Sequence, residues 1–464
     1  MVVASPVDSD TTAFTGRALA PTLKNAKKLI ADLMDGKTTL STSVLDPDRL
    51  LREPGRANCY GPSMKYTNHP DGSPDNSPLP GGDLGIWTDT EGSTTEACTA
   101  AQLNARMKAT RDKVMTGMVG LAALIRVYET STGNNWPDDI AVGDSEDLVA
   151  ALNALSLPNF TFTKASISHD GTDSALWSYQ LAFDFDDGSR QASVDLGLTH
   201  RIASAATGEV EGVMTYKIDR PNTGGNCNAG TYPKVTEMGS VHYIRDSAGD
   251  LSIKNQSATA CGDLSTATNL LNTTLTDVET SSALTNARIL DPSQDWKDNY
   301  NLFIADFTPD TGVGKYLYAW QAGSGDSHTR LLMLNLSADA QTGALYGTSY
   351  FGFGDRVQTS TKPTFKGMIC NWAGPGNNHN TLFDGVQRQA IRQNLTSNLF
   401  ELDSTVTDNS DITYAPTNSC TYYPASGFDY DRDLDGTLDG SDKVEVDDPA
   451  PFDGLALDLF RKGS

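Results

Sequence analysis

Two periodicities divide the chain into a helical part and a strand-rich part. Between residues 103 and 128, mostly apolar residues recur at alternating steps of four and three, which predicts an amphipathic helix of about seven turns. We interpret the methionines in this stripe as core-packing residues rather than as the lining of a binding groove. A second pattern of the same period, ending at Gly36, predicts a helix over 22–36. The longer stripe contains Leu103, Met107, Thr110, Val114, Met118, Leu121, Ile125 and Tyr128.

From about residue 159 the period changes to two, which is typical of half-buried strands. Asp187-Gly188 and the segment 247–250 have the composition of hairpin turns. The pattern therefore predicts a mainly β protein with N-terminal helices (α+β), built on a large antiparallel sheet that forms a sandwich or an open barrel. The predicted strands include 160–162, 176–186, 192–199, 210–218, 239–245, 251–255, 316–320 and 331–336.

One part of the strand pattern occurs twice. Thr207-Gly208, followed by Gly212 and Tyr216, is similar to Thr342-Gly343, followed by Gly347 and Tyr350. The glycines are separated by the same number of residues in both cases, and an apolar strand precedes each. A duplicated β-meander and a chance similarity among strands rich in glycine and threonine both remain open.

These patterns predict five segments along the chain. Short helices are predicted within the β region at Thr266–Val278 and Gly385–Leu399. The segments are a flexible leader (1–20), a helical segment with a long loop (21–158), a first β unit (159–290), a second β unit (291–425) and a C-terminal tail (426–464).

The charge balance restricts the partners that the protein can have. The formal net charge is −24, from 59 acidic and 35 basic residues. Such an excess repels phosphate backbones, so we expect no nucleic-acid binding, and it disfavours anionic membrane surfaces. No apolar run has the length of a transmembrane helix, so we expect no transmembrane segment.

Six cysteines, widely spaced and without a CxxC pair, favour disulfides over a zinc site. Sequential pairing keeps each bridge within one local segment and predicts Cys59–Cys98, Cys227–Cys261 and Cys370–Cys420. The alternative is six buried free thiols in a cytosolic protein. Because disulfides form in oxidising compartments, we expect an extracellular or cell-surface protein. The first ten residues lack the pattern of a signal peptide, so we expect that a targeting segment was removed upstream. A lipid-anchored precursor stays open.

The strongest chemical signal lies in the C-terminal tail, between residues 431 and 442. Oxygen-bearing side chains occupy alternate positions of a short loop, and a glycine at 436 permits a sharp turn. A hard cation such as Ca²⁺ takes six to eight oxygen ligands, which alternate side chains of a tight loop can supply. The candidate metal ligands are Asp431, Asp433, Asp435, the carbonyl of Thr437, Asp439 and Asp442.

This stretch resembles the calcium-binding loop of the EF-hand family, and the resemblance covers these twelve residues alone. It implies Ca²⁺ as the bound ion, with Asp439 acting directly or through water. Position 12 is Asp442, where the family usually has glutamate. The shorter side chain of aspartate would weaken the binding of calcium relative to magnesium. The flanking sequences do not have helical patterns, so we expect a structural calcium loop of the extracellular type and no switch that opens a helix pair.

No catalytic residue can be assigned from the sequence. The histidines form no HxH or HExxH motif, and Gly323–His328, which contains Ser327, has the composition of a turn. The loop 371–379, with Trp372 and His379, could recognise a sugar or peptide or could be a long turn. Likewise, the aromatic residues between 346 and 353 could form an exposed platform or fill the sheet core.

We therefore expect a secreted or cell-surface calcium-binding protein of ligand-binding, adhesion or assembly type, without enzymatic activity. Its partner would be an extracellular ligand or protein, and self-assembly stays open. The alternative is an extracellular hydrolase acting on a polymer or lipid substrate. A pocket containing His328 or His379 beside a carboxylate or serine would favour that alternative.

Overall fold

A computed structural model describes residues 98–201, 210–224, 227–262, 300–321, 329–354, 365–369, 382–383, 385–403, 405 and 412–414. The described part is mainly β, as the sequence predicts, with a long helix α1 (Cys98–Thr132) and a short helix α2 (Val149–Ala154). The first strands are β1 (Ser145–Asp147), β2 (Phe160–His169), β3 (Leu176–Asp186), β4 (Gln191–Arg201), β5 (Val210–Pro221), β6 (Lys234–Arg245), β7 (Leu251–Cys261) and β8 (Tyr300–Phe307). The later strands are β9 (Gly314–Gln321), β10 (Thr329–Ala338), β11 (Leu345–Gly354), β12 (Phe365–Ile369), β13 (Leu382–Phe383), β14 (Gly385–Gln393), β15 (Phe400–Leu402) and β16 (Ile412–Tyr414).

Within these residues the strands form one large antiparallel sheet of 16 strands. Strands β1 to β13 follow one another across the sheet in chain order, while β14 pairs with β11, β15 and β16. The two predicted β units are continuous, because β7 pairs with β8 from Leu251↔Phe307 to Ser257↔Asn301. The sheet is therefore a long meander in which most strands pair with their neighbours in sequence.

The tight turns follow from local sequence. Gly188, Gly249 and Gly343 have φ angles of 83°, 91° and 71°, in the left-handed region that glycine adopts without strain. The carboxylates of Asp187 and Asp339 accept backbone N–H groups two and three residues further along the chain. Local turn chemistry therefore explains why the turns at Asp187-Gly188 and 247–250 were predictable.

Helix α1 crosses the strands. Along its length, Arg106 lies over the ring of Tyr318 on β9, Thr110 contacts Asn255 on β7, and Lys113 contacts Tyr216 on β5. Further along, Gly120 lies beside Leu181 of β3. These partners come from every second strand between β9 and β3, so one helix crosses this whole part of the sheet. We call the covered side the helix face.

The main hydrophobic core lies between the helix face, α1 and α2. It includes Leu103, Tyr128, Leu152, Phe183 and Phe303, all of which are buried. Side chains alternate between the two faces along each strand. The opposite side, which we call the second face, carries Val213, His242, Ile304, Leu317 and Met333. From β5 to β10 these residues are buried as well.

One predicted helix is wrong. Residues 385–393 form strand β14, which pairs with β11 from Tyr346↔Arg392 to Phe351↔Gln387. The apolar residues at 386 and 391 suit either a helix or a strand. The pairing with β11 decided between the two. The predicted helices over 22–36 and 266–278 and the leader lie outside the described residues.

One of the residue matches on which the possible duplication depends does not hold in the structure. Gly212 and Gly347 both lie on the helix face, where they pair with His200 and Leu336. Tyr216 is on that face too and is fully buried, whereas Tyr350 pairs with Met333 on the second face. The two tyrosines are therefore not equivalent. Among the described elements, neither helix has the combined length and apolar character needed to cross a membrane.

Candidate functional site

The predicted calcium ligands cannot be placed. Asp431, Asp433, Asp435, Thr437, Asp439 and Asp442 all lie outside the described residues. Within the described ranges, no group of three or more histidine, cysteine, aspartate or glutamate side chains could hold a metal ion. The calcium loop therefore stays a prediction.

One predicted disulfide is confirmed. Cys227 and Cys261 are bridged, with their Cα atoms 5.6 Å apart. Both are buried, and Cys261 is the last residue of β7. The bridge ties the connection between β5 and β6 to the end of β7. The pairs Cys59–Cys98 and Cys370–Cys420 involve residues outside the described part of the chain.

Three of the six histidines are described, and each has a contact that explains its position. The ring of His169 stacks on Trp177 at a centroid distance of 4.0 Å. His200 Nδ1 lies 2.8 Å from the hydroxyl of Tyr243, and His242 Nε2 lies 3.3 Å from Glu211 Oε1. His200 is on the helix face and His242 on the second face, so the structure does not bring them together. His69, His328, His379, Ser327 and the loop 371–379 lie outside the described residues.

Polar groups converge on the helix face beneath the first half of α1. The ammonium group of Lys113 donates to the Tyr216 hydroxyl at 3.1 Å and lies 5.2 Å from the ring centroid. Asn255 Nδ2 donates to Thr110 Oγ1 at 2.9 Å. The guanidinium carbon of Arg106 lies 4.2 Å from the centroid of the Tyr318 ring. We call Arg106, Thr110, Lys113 and their partners Tyr216, Asn255 and Tyr318 the polar seam.

The polar seam is enclosed by the core. Lys113 is 1% exposed and Thr110 is 0% exposed, so neither is available to a solvent-borne ligand in this conformation. A buried cation is tolerated when aromatic rings and hydroxyls replace part of its hydration. Because each polar group has to meet its own partner, the polar seam sets where α1 lies on the sheet. Its evident chemical role is positioning.

Burial also shifts titrating groups on the helix face. It lowers the pKa of His200 to about 4, because the charged imidazolium would lose its hydration. The neutral ring is held by the Tyr243 hydroxyl. Gly212 makes room for this pair, since a Cβ at that position would overlap the Tyr243 hydroxyl. The arrangement holds a neutral histidine near neutral pH.

Sequence reasoning missed the buried charges. Lys113 lies three residues after Thr110 and falls beside the predicted stripe, and a lysine is rarely buried. Glu211, His242 and Lys254 alternate with helix-face residues, and no interior position was predicted for them. The available signal was the continuous apolar run in β8, β9 and β10, since strands that are apolar at successive positions are buried on both faces.

The Thr110, Lys113 and Asn255 side chains of the polar seam are buried within the packed protein. Comparison with known proteins adds no family to this description. No protein-family model, no curated protein and no solved structure matches the chain.

Proposed function

We propose that the chain is an exported, calcium-binding protein of ligand-binding, adhesion or assembly type, without enzymatic activity. The observation that carries this proposal is the buried Cys227–Cys261 disulfide, which joins the β5–β6 connection to the end of β7. Stable disulfides are rare in reducing compartments and common in exported proteins. The location outside the cytosol, extracellular or at the cell surface, is part of the proposal.

The large sheet supports the non-enzymatic part. The buried groups of the polar seam position α1, and an exposed edge of a sheet can bind a partner by adding a strand. The partner would be an extracellular ligand, a protein or another copy of the chain. The predicted helix at 22–36 and closure of the sheet into a sandwich or open barrel also belong to the proposal.

Calcium is proposed from the loop at residues 431–442. Asp431, Asp433, Asp435, Asp439 and Asp442 supply carboxylate oxygens, and Thr437 supplies a carbonyl oxygen. With five carboxylates in one short loop, the segment would repel itself without a cation. Calcium would therefore order the tail and leave the sheet unchanged.

The calcium arm of the test is a calorimetric titration with CaCl₂ of the full-length wild type and of Asp433→Asn/Asp435→Asn. We expect wild-type binding at micromolar to millimolar calcium and at least a tenfold loss in the variant. The matched control, Asp138→Asn/Asp310→Asn, removes the same charge from exposed positions and should bind like the wild type. Wild-type protein that takes up no calcium at millimolar concentration contradicts this part.

The disulfide arm uses protein purified from its native host without reductant. Peptide mass mapping should recover Cys227 and Cys261 as one linked pair. In the chain-entropy model, Cys227→Ala/Cys261→Ala should lower the free energy of unfolding by about 2–4 kcal/mol, measured in urea. Native protein with both thiols free would contradict export and leave the calcium result intact, so the two parts can fail separately.

A further inference from the structure

A row of mostly apolar side chains on the second face contains ionisable residues on strands β6 and β7. Val213 pairs with His242, His242 with Lys254, and Lys254 with Ile304. The row continues through Leu317 and Met333, so two ionisable residues lie within an otherwise apolar row. Both are buried, with His242 1% and Lys254 5% exposed. Burial of charge at such a place is costly unless polar partners accompany it.

A carboxylate accompanies these residues. Glu211 lies two residues before Val213 on the same face of β5, and its Oε1 is 3.3 Å from His242 Nε2. Burial lowers the pKa of Lys254 to about 8, so the ammonium form still predominates at pH 7. The cluster thus combines one carboxylate with an imidazole and an ammonium group.

Two hydroxyls lie next to this row. Thr215 and Ser240 pair directly across β5 and β6, one step along the second face from Val213↔His242. They are 2% and 1% exposed, and within the described part of the chain neither hydroxyl has a hydrogen-bond partner. A buried hydroxyl without a partner costs about 1–3 kcal/mol. Two of them side by side, next to ionisable groups, indicate a bound partner.

We propose that Thr215, Ser240 and Lys254 form a binding site for one small monovalent anion of the halide type, beside the His242–Glu211 pair. Hydroxyl and ammonium groups donate hydrogen bonds, so these three side chains suit a ligand that only accepts. Glu211, the one carboxylate of the five, is directed to His242.

The spacing limits the size of the ligand. Directly opposed residues on antiparallel strands have Cβ atoms about 4.5–5.5 Å apart. Two hydroxyls at that spacing can both reach a single ion between them, whereas sulfate or phosphate would need more room. A halide also tolerates the apolar neighbours Val213 and Ile304 better, because its single charge is weakly hydrated.

The first test is thermal unfolding of the full chain at constant ionic strength, with sodium chloride replacing sodium gluconate. A ligand that binds only the folded state raises the midpoint and does so with saturation. We expect a rise of a few degrees for the wild type and none for Thr215→Val/Ser240→Ala. Ser166→Ala, which removes a second-face hydroxyl from β2 outside the cluster, should respond like the wild type.

The second test locates the ion without a variant. Crystals of the wild type grown in sodium bromide should show an anomalous peak between Thr215 and Ser240. A water molecule at that place would give no anomalous signal and would overturn the proposal. Equal unfolding midpoints in chloride and gluconate would overturn it as well. If the double variant does not fold, Ser240→Ala replaces it, and the bromide measurement decides by itself.

Discussion

At the scale of single residues, many acidic side chains organise turns. The Asp339 carboxylate accepts hydrogen bonds from the backbone N–H groups of Thr342 and Gln341, which hold its pKa below the usual value. Asp170 acts similarly on Thr172 and Asp173. Part of the strongly negative composition therefore has a local structural use, in addition to its effect on solubility and partners.

His200 gives a prediction at this scale. Its folded-state pKa is lowered to about 4 from 6.5, so the unfolded chain binds the proton more readily. The stabilisation is complete above about pH 6.5 and is lost as the pH falls toward 4. The expected loss is at most roughly 3 kcal/mol, from about 1.4 kcal/mol per pKa unit. It is an upper limit because His200 is only partly buried.

The measurement is urea unfolding of wild type and His200→Gln at pH 7.5 and at pH 5. Glutamine keeps a hydrogen-bonding group for Tyr243 but cannot titrate in this range. The wild type should lose more stability than the variant between the two pH values. Equal losses would show that His200 is protonated in the folded protein.

At the scale of elements, tertiary pairing overrides local pattern in β14. This strand is held by β11 along one edge and by Arg392, whose guanidinium contacts Asp403 Oδ2 at 3.1 Å and Asp339 Oδ2 at 3.3 Å. Asp339 belongs to the turn between β10 and β11, so the contact joins β14 to that hairpin. A segment that could form a helix alone becomes a strand because an edge is available.

The two glycines in the middle of α1 give a matched prediction. A Cβ at Gly120 would lie 3.6 Å from Leu181 Cδ2, an ordinary contact, whereas a Cβ at Gly117 would lie 2.5 Å from Met214 Sδ. Gly120→Ala should stabilise the protein by up to about 1 kcal/mol through helix propensity. Gly117→Ala should stabilise less or destabilise, because Met214 has to move.

Thermal and urea unfolding of both variants check this expectation. Combining Gly117→Ala with Met214→Ala should remove the overlap, so the alanine at 117 should cost less in that background than in the wild type. A small apolar cavity of about 20 Å³ beside Gly117, Gly120 and Met214 gives these side chains some room. If Gly117→Ala gains as much as Gly120→Ala, α1 does not lie as close to β5 as described.

At the scale of the whole molecule, α1 joins parts of the sheet that are distant in sequence. It contacts β2, β4 and β6 of the first predicted unit and β9, β10 and β11 of the second. The β7–β8 pairing also connects the units. We therefore predict one cooperative unfolding transition for the described sheet, although the sequence suggests two β units.

Scanning calorimetry tests this prediction. One transition, with equal calorimetric and van't Hoff enthalpies, is expected. Asn255→Ala should lower its midpoint without dividing it, because the Thr110–Asn255 contact belongs to the same cooperative unit. Two separate transitions in the wild type would mean that the β units unfold independently.

The sequence alone determined those features that depend on neighbouring residues. It placed α1, strands β3 to β7, β9 and β10, and the turns at Asp187-Gly188 and 247–250, because alternation and turn-forming residues act over short distances. The Cys227–Cys261 pairing also followed from a local segment.

Only the tertiary structure decided which side of each strand is buried and against what. The polar seam, the neutral His200 and the buried cluster of Glu211, His242 and Lys254 depend on strands that meet across the sheet. Alternation along a strand separates its residues into two faces, but burial of both faces depends on what packs there. The buried positions of Lys113, Glu211, His242 and Lys254 therefore follow from tertiary packing and not from local pattern.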